Sequence, residues 1–334
     1  MAEIVGLDQV VTPVPPDGGT PPPSSATRML LPSLSGKLLT GLVIVALIVL
    51  LGLVGPLLAQ DPRDSHHPAL LPPGGDHWLG TTKLGYDVFA QLAHGTRGSL
   101  FVGIVAGAIS LLLAVIFGVF AGYFGGWLDE LLTLVTNIML VIPGLPLVMV
   151  IAAYVQHTEG LGPLARSSLL VAFVLGITGW AGSAVVLRAT AKSVRAREYV
   201  WAARVAGERP LRIIFVEILP NLVPLIAAQF IFGVIFAVLG EAGLSYLGLG
   251  PTGSITLGTM LNDAQTGQAV GTGAWWWFVP PGAVIAALGA GLSLINFAID
   301  EVVNPKLRLA PEAARSQRLA RKAGRSVVAP EAAA

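Results

Sequence analysis

The chain has 334 residues, of which 54% are hydrophobic and 12% are charged, whereas about 25% of the residues of a soluble domain are charged. The apolar residues form uninterrupted blocks instead of alternating or heptad patterns, which is typical of helices that are apolar all round and span a membrane. The absence of cysteine excludes disulfide frameworks and cysteine-based metal or redox sites, and a net charge of +1 indicates no particular partner.

Residues 1–28 carry the run PVPPDGGTPPPSS. This run has neither a helical nor a strand period, and it contains too few apolar residues to form a core. We expect a disordered cytoplasmic leader, and a Pro-rich docking ligand is the alternative interpretation.

Six apolar stretches follow, and each reaches or approaches the roughly 20 residues that a helix needs to cross a bilayer. They comprise residues 38–59, 99–124, 131–156, 167–187, 221–239 and 278–299. The first is not a cleaved signal peptide, because its apolar run is too long and the leader precedes it. The sequence therefore predicts an all-α integral membrane protein with six transmembrane helices.

The segments beside the second span suggest how it packs. Residues 86–100 are expected to form a helix on the membrane surface that leads into the span, and the short GGWLDE connection makes spans two and three antiparallel neighbours. Within the span, Gly103 and Gly107, and then Gly118 and Gly122, have the four-residue spacing that permits close helix contacts.

Three consecutive tryptophans, residues 275–277, precede the last span. Indole rings prefer the headgroup zone of a membrane, so we interpret the triplet as an anchor at the outer boundary. Stacking against a sugar or another substrate is the alternative interpretation.

The distribution of the 20 Lys and Arg residues predicts the orientation, because basic residues near span ends are retained in the cytoplasm. With both termini inside, two of them precede the first span, seven lie in the connection after the fourth span and seven lie in the C-terminal tail. Four remain outside: Arg63, Lys83, Arg97 and Arg166. Both termini are therefore expected to be cytoplasmic.

The connection after the fourth span reads REYVWAARVAGERPLRIIFVEILPN. Residues 198–206 favour a helix, with Tyr199, Ala202, Ala203 and Ala206 on one narrow face. Gly207 suits the left-handed position that ends a helix, and Pro210 suits the first turn of a new helix. We expect this second helix to end at Pro220 in another corner, so that a short docking helix is held between two corners.

This loop resembles the motif shared by permease subunits of binding-protein-dependent ABC importers: EAA, three residues, Gly, nine residues and I-x-L-P. Ala202, Ala203, Gly207, Leu219 and Pro220 match it, whereas Trp201 and Glu217 replace its Glu and Ile. The dipeptide and oligopeptide branch, with E-Y-V-x-A-A-R-x-x-G and I-L-P-N, is more similar. The additional matches are Glu198, Tyr199, Val200, Arg204, Ile218 and Asn221.

The resemblance extends over residues 30–308 and includes the second permease subunit's external H-x-L-G-T-D-x-L-G-R-D-V signature. The chain has HWLGTTKLGYDV, with Thr82 and Tyr86 in place of the acid and the Arg. The resemblance implies a type I ABC importer permease fold on the bacterial cytoplasmic membrane. It also implies that the loop supplies a coupling helix for a groove on the ATPase subunit.

Other classes of function fit less well. A G-x-x-x-x-G-K-[ST] phosphate loop is absent from the sequence, so the chain has no nucleotide site of that type. A secondary carrier or channel would place charged groups deep in its spans, but Glu241, Asp300 and Glu301 are near predicted span ends.

An intramembrane zinc hydrolase is disfavoured by the absence of H-E-x-x-H. His66 and His67 are interpreted as solvated residues, with metal contact as the alternative.

The predicted organisation has four parts: the leader (1–28), the first span with the external segment (29–98), the core permease domain (99–305) with a coupling loop at 188–220, and a basic cytoplasmic tail (306–334). The expected function is import of short peptides, with oligosaccharides or nickel as the alternatives. The chain is not expected to be an enzyme or to hold a cofactor, since ATP and Mg would be bound by partners.

The expected partners are a homologous permease, two ATPase subunits or domains, an external binding protein and the lipid bilayer, but no nucleic acid. The sequence does not identify the side chains along the substrate path. Polar residues within the spans also bond neighbouring helices, and the candidates are Ser110, Thr136, Asn137, Gln229 and Asn296.

Overall fold

The computed structural model describes residues 36–156, 167–251 and 253–303. Within these ranges the chain is helical, and the only β pairing is two isolated bridges, Gly74 with His77 and Thr81 with Asp87. This agrees with the predicted all-α class. The predicted leader (1–28) and basic tail (306–334) lie outside the described residues.

Four helices in the described part of the chain are long and apolar enough to cross a membrane. They are α1 (Gly36–Leu58), α2 (Val88–Phe124), a helix that runs from Pro210 to Tyr246, and α11 (Trp275–Val303). α2 begins directly after Asp87, whose side chain accepts a hydrogen bond from the Ala90 N–H at 2.8 Å. The surface helix expected over residues 86–100 is therefore the first part of α2.

Two further apolar stretches are bent pairs of helices. α3 (Gly126–Val141) and α4 (Gly144–Gln156) meet at 81°, and α5 (Ser168–Gly179) and α6 (Ala181–Arg195) meet at 46°. The first break has a local cause, because Ile142 precedes a proline and adopts an extended conformation. The described residues thus provide four to six spans, and the number is six when each bent pair counts as one.

Two short helices lie outside these spans, and the helix from Pro210 is divided into three elements. α7 (Glu198–Val205) follows α6, and the helix from Pro210 comprises α8 (Pro210–Arg212), a π-helical turn (Ile213–Ile218) and α9 (Leu219–Tyr246). α10 (Leu257–Thr266) follows α9. We call the end of the helices that carries α7 the loop end, and the end that carries α10 and residues 59–87 the α10 end.

Glycines on α2 allow its neighbours to approach closely, as their spacing predicts. A Cβ atom added at Gly103 or Gly107 would lie 2.5 or 2.8 Å from Val238 or Val234 of α9. One added at Gly118 would lie 2.6 Å from a backbone oxygen of α6, and one at Gly122 would lie 2.8 Å from two atoms of α6. The first pair therefore contacts α9 and the second contacts α6.

A buried carboxylate joins three helices at the α10 end. Glu241 of α9 is fully buried and accepts hydrogen bonds from the hydroxyls of Ser99 (3.0 Å), Ser245 (2.6 Å) and Thr256 (2.6 Å). Ser99 belongs to α2, and Thr256 caps the N-terminus of α10. Three hydroxyl donors give this acid a structural role, since a buried carboxylate is tolerated when its oxygens are hydrogen-bonded.

The tryptophan triplet is mostly packed against protein. Trp275 is 54% exposed, but Trp277 is 3% exposed, and the indole N–H of Trp276 donates to the Thr81 carbonyl at 3.2 Å. The anchoring interpretation therefore suits only Trp275. Trp276 holds the segment before α2, where Gly80 has a φ of 72° and a Cβ atom would lie 2.8 Å from the indole ring.

Candidate functional site

The connection at the loop end contains the short helix and the first corner that the sequence predicts. α7 ends in a left-handed turn, with a φ of 80° at Gly207. The Gly207 N–H donates to the Arg204 carbonyl (3.0 Å) and the Glu208 N–H donates to the Ala203 carbonyl (3.1 Å). This pair of bonds defines a Schellman motif, which satisfies carbonyls at the end of α7 and reverses the chain.

One side of the connection is fixed by apolar packing. Val200 of α7 and Ile213, Ile214 and Ile218 of the π-helical turn are 0 to 1% exposed and belong to one cluster. The cluster also contains residues from α2 and α6, and Ala203 packs against it. α7 is therefore packed against α2, α6 and the helix that starts at Pro210. Because these contacts are close-packed, a displacement of α7 also displaces the longer helices.

Arg204 provides a second attachment. Its guanidinium lies 4.9 Å from the centre of the Tyr123 ring at the end of α2, and 5.8 Å from that of Trp201 on α7. These distances are within the range of a cation–π contact. The side chain thus joins the connection to the central helix α2.

Other residues of the connection expose apolar side chains to solvent. Trp201 is 58% exposed, Val205 is 83% exposed and Leu211 is 54% exposed. We call these three residues the docking face. Its polar surroundings include Glu198 and Arg209, both exposed. An exposed apolar patch with charged neighbours is typical of a surface that binds another protein.

The predicted site residues divide between the two sides of this connection. The exposed ones are Glu198, Tyr199, Ala202, Gly207 and Pro220, the half-buried ones are Ala203, Arg204 and Leu219, and Ile218 is buried. Sequence reasoning missed Val205 and treated Trp201 only as a departure from the motif. Large apolar side chains in a connection that is otherwise charged were the signal that could have identified them.

The second predicted corner, at Pro220, is wrong. The helix that starts at Pro210 continues through Pro220 into α9, so the stretch predicted as the fifth span (221–239) lies within a helix that begins at Pro210. The π-helical turn precedes this proline, and the Leu219 N–H donates to the Ile214 carbonyl five residues back. A wider turn next to a proline adjusts the local bonding pattern where the proline itself has no N–H to donate. α7 is therefore coupled to a continuous helix and not to a separate short one.

An ion cluster ties α3 to α6 near the same end. The Asp129 carboxylate accepts from Arg188 Nε (2.5 Å) and from its terminal nitrogen (3.0 Å), and it also lies 2.7 Å from Lys192 Nζ. Arg188 lies within α6 and not in the predicted connection. A bidentate arginine contact is directional and fixes the orientation of the two helices.

A cavity of about 630 Å³ lies among α3, α4, α5, α6, α9 and α11, and we call it the central cavity. Both helix breaks contribute to its wall, through Ile142 and Gly144 and through Gly179 and Ala181. Its polar lining residues are Thr178, Ser183, Gln229, Asn296 and Asp300. Of the predicted polar candidates, Gln229 and Asn296 line the cavity, whereas Ser110 and Thr136 are buried.

The histidines of the described residues give no sign of a metal centre. His66 contacts Asp64 (2.5 Å), and His77 contacts the carboxylate of Asp87 (2.8 Å). In the described ranges, no group of three His, Asp or Glu side chains is arranged to hold a metal ion. His157 lies outside these ranges.

Comparison with known proteins gives a family match. The family described as "Binding-protein-dependent transport system inner membrane component" matches residues 114–309. The matched segment includes both bent pairs, α7, the docking face and the central cavity.

Several curated relatives cover most of the chain. The dipeptide transport system permease protein DppC of Bacillus subtilis is 35% identical over 274 residues, which is 81% of this chain and 82% of that protein. The oligopeptide transport system permease protein OppC of the same organism is 32% identical over 278 residues, 82% of this chain and 87% of the relative. OppC of Mycobacterium tuberculosis is 33% identical over 255 residues, 76% of this chain and 84% of the relative.

Proposed function

Because the chain belongs to the family of binding-protein-dependent transport system inner membrane components, we propose that it is a permease subunit of an ATP-driven importer for short peptides. The peptide assignment is supported by relatives whose names specify dipeptide or oligopeptide transport. The observation that carries the permease assignment is the connection at the loop end, where a short helix has one side packed on the long helices and one apolar side exposed.

The docking face is the proposed contact with an ATPase subunit. Trp201, Val205 and Leu211 offer apolar surface to a groove on a partner, and Arg204 connects that surface to α2. The chain itself has no phosphate loop, so ATP and Mg would be bound by two partner ATPase subunits or domains. The chain would then be the part that moves and not the enzyme that hydrolyses ATP.

The central cavity is the proposed share of the substrate path in this chain. Broken helices are tolerated within a membrane where they are covered by protein or line a water-filled cavity, and two breaks lie on the wall of this one. The polar groups Gln229 and Asn296 lie there as well. A homologous permease packed against this side would complete the path, and closure of the ATPase subunits would change which end is open.

The proposed orientation places the loop end and both termini in the cytoplasm. Of the seven basic residues counted in the fourth connection, six lie on α6, on α7 or in the short segments around them, and Arg212 lies on α8. The positive-inside tendency therefore supports this orientation. The α10 end would face outward, where an external binding protein delivers the cargo.

The cargo is tested by uptake in cells with and without this subunit. Labelled di- to pentapeptides are expected to require it, whereas cello- and xylo-oligosaccharides are not. If sugar uptake is lost and peptide uptake remains, the peptide assignment is wrong and the oligosaccharide alternative replaces it. Nickel uptake, the third candidate, is measured in the same pair of strains.

The permease assignment has a separate test. The purified chain reconstituted without an ATPase should transport none of these compounds, whereas the complete complex should transport peptide when ATP is supplied. Uptake by the chain alone would contradict the importer assignment and favour a secondary carrier.

A further inference from the structure

Two adjoining recesses at the α10 end share three lining residues: Tyr86, Gln91 and Asp263. Their volumes are about 320 and 230 Å³. They are formed by the first turn of α2, by α10 and by the segment before α2. We call them together the α10-end recess. It lies outside the α7 connection and shares no lining residue with the central cavity.

Gln91 shows that the recess contains an unsatisfied acceptor. The residue is 5% exposed, and its Nε2 donates to the Pro62 carbonyl at 3.4 Å. Its Oε1 is buried and has no hydrogen-bond partner in the part of the chain that the structure describes. A buried amide oxygen without a donor is costly, so a donor from outside the chain, either a water or a ligand group, stabilises it.

Asp263 supplies a negative charge to the same recess. Its carboxylate forms no ion pair with another described residue. The residue as a whole is exposed, and partial desolvation of its carboxyl by the wall of the recess raises its pKa above the ordinary value. Asp263 and Gln91 both line both parts of the recess, which places an acid and an acceptor oxygen around one bound cationic group.

The larger part of the recess also contains a positively charged side chain. Arg63 lines the larger part and donates through one terminal nitrogen to the Gly253 carbonyl at 3.0 Å. A guanidinium has further N–H donors that this single bond does not use. Arg63 and Asp263 therefore line one recess without pairing with each other, which leaves opposite charges available to a ligand that carries both.

We propose that the α10-end recess binds a short peptide as a zwitterion, with its α-ammonium group at Asp263 and Gln91 Oε1 and its carboxylate towards Arg63. This inference rests on the proposed peptide function and adds a site on the permease itself. The site lies beside the end of α10 that the Glu241 hydrogen bonds fix to α2 and α9. A peptide released at the α10 end would thus meet the recess before it reaches the central cavity.

The test measures binding of trialanine and N-acetyl-trialanine to the complete transporter in nanodiscs without its binding protein, by saturation-transfer NMR. Trialanine is expected to bind and the acetylated peptide, which has no α-ammonium group, to bind at least about tenfold more weakly. Asp263→Asn and Gln91→Leu should each weaken trialanine binding, by about tenfold for the charged residue. Asp76→Asn, which removes an exposed acid that lies in the segment before α2 but does not line the recess, is the matched control.

Equal binding of both peptides, or equal binding by Asp263→Asn and Asp76→Asn, would overturn the proposal. It would also be overturned if Asp263→Asn left trialanine binding intact but weakened docking of the binding protein, since the recess would then hold a basic side chain of that protein. Assembly and basal ATP hydrolysis check that each variant is folded. Peptide uptake by the wild-type complex is measured separately, so that failure of the recess and failure of the peptide function are distinguished.

Discussion

The Arg204 guanidinium lies 4.9 Å from the centre of the Tyr123 ring, and this contact joins the short helix α7 to the end of α2. Tyr123 is 5% exposed and belongs to the apolar cluster that also contains Val200. α2 in turn packs against α1, α5, α6 and α9. The contact between Arg204 and Tyr123 therefore links the docking face to α2, a helix that packs against several others in the described part of the chain.

We expect Arg204→Gln to reduce substrate-stimulated ATP hydrolysis by about two- to fivefold. A cation–π contact of this kind contributes about 0.5–1 kcal/mol, and its loss loosens α7 without exposing a buried charge. Rates are measured on the reconstituted complex. Arg97→Gln removes the same charge from an exposed position at the α10 end and should have little effect. Equal stimulation in both variants would show that the ring contact has no part in coupling.

Gly207 should tolerate only residues that accept a left-handed backbone. No atom lies within 4 Å of the position of an added Cβ, so the strain of a substitution comes from the φ of 80° alone. Gly207→Val should cost about 1–2 kcal/mol locally and uncouple ATP hydrolysis from transport while the protein remains in the membrane. Gly207→Asn should keep most of the coupling, because Asn adopts this conformation more readily. Normal coupling in the Val variant would remove the corner from the mechanism.

Val205 and Val270 form a matched pair for the docking face. They are 83% and 76% exposed, at the loop end and the α10 end respectively. Val205→Asp should weaken binding of the ATPase subunit by about tenfold or more, because a charge replaces apolar surface at the proposed contact. Val270→Asp should leave this binding unchanged. Affinity is measured by titration of the purified ATPase onto the permease pair in nanodiscs, and the same loss in both variants would contradict the assignment.

The local features of the fold could be predicted from the sequence. Gly207 follows a helix-forming stretch and precedes Glu208, Arg209 and Pro210. The chain reverses its direction there only if this residue adopts a left-handed backbone conformation. The glycine spacing on α2 predicted its close contacts for a similar reason, since a missing side chain leaves room for a neighbouring helix. Each of these depends on a few residues close together in the chain.

The direction of the helices could not be predicted in the same way. Hydropathy measures how apolar a stretch is and not where the helix axis turns, so it predicts a span over residues 131–156 but not the 81° break beside Pro143. Proline lacks the N–H that continues a helix, and this local rule predicts a corner at Pro220. Packing of Ile214 and Ile218 in the core instead favours a continuous helix with a π-helical turn. The recess at Gln91 depends on contacts between segments far apart in sequence.

The orientation predicts which residues an impermeant thiol reagent reaches. The chain has no cysteine, so within it the reagent labels only the single cysteine that each replacement introduces. Ser65 and Ala196 are both exposed, at the α10 end and the loop end. In intact cells Ser65→Cys should be labelled and Ala196→Cys should not, whereas permeabilised cells should label both. Labelling of Ala196→Cys in intact cells would reverse the proposed topology.

The central cavity predicts different effects of the same change at Gly182 and Gly243. Both glycines are helical and exposed, and neither has an atom within 4 Å of an added Cβ, so the first atom of a side chain meets no neighbour at either position. Gly182 lines the cavity and Gly243 does not. Gly182→Trp should therefore lower peptide uptake by at least about tenfold, because the indole occupies the proposed path, while the complex still assembles and hydrolyses ATP. Gly243→Trp should retain most of the uptake. Initial rates are measured in proteoliposomes that contain matched amounts of each complex, and undiminished uptake by Gly182→Trp would show that cargo passes elsewhere.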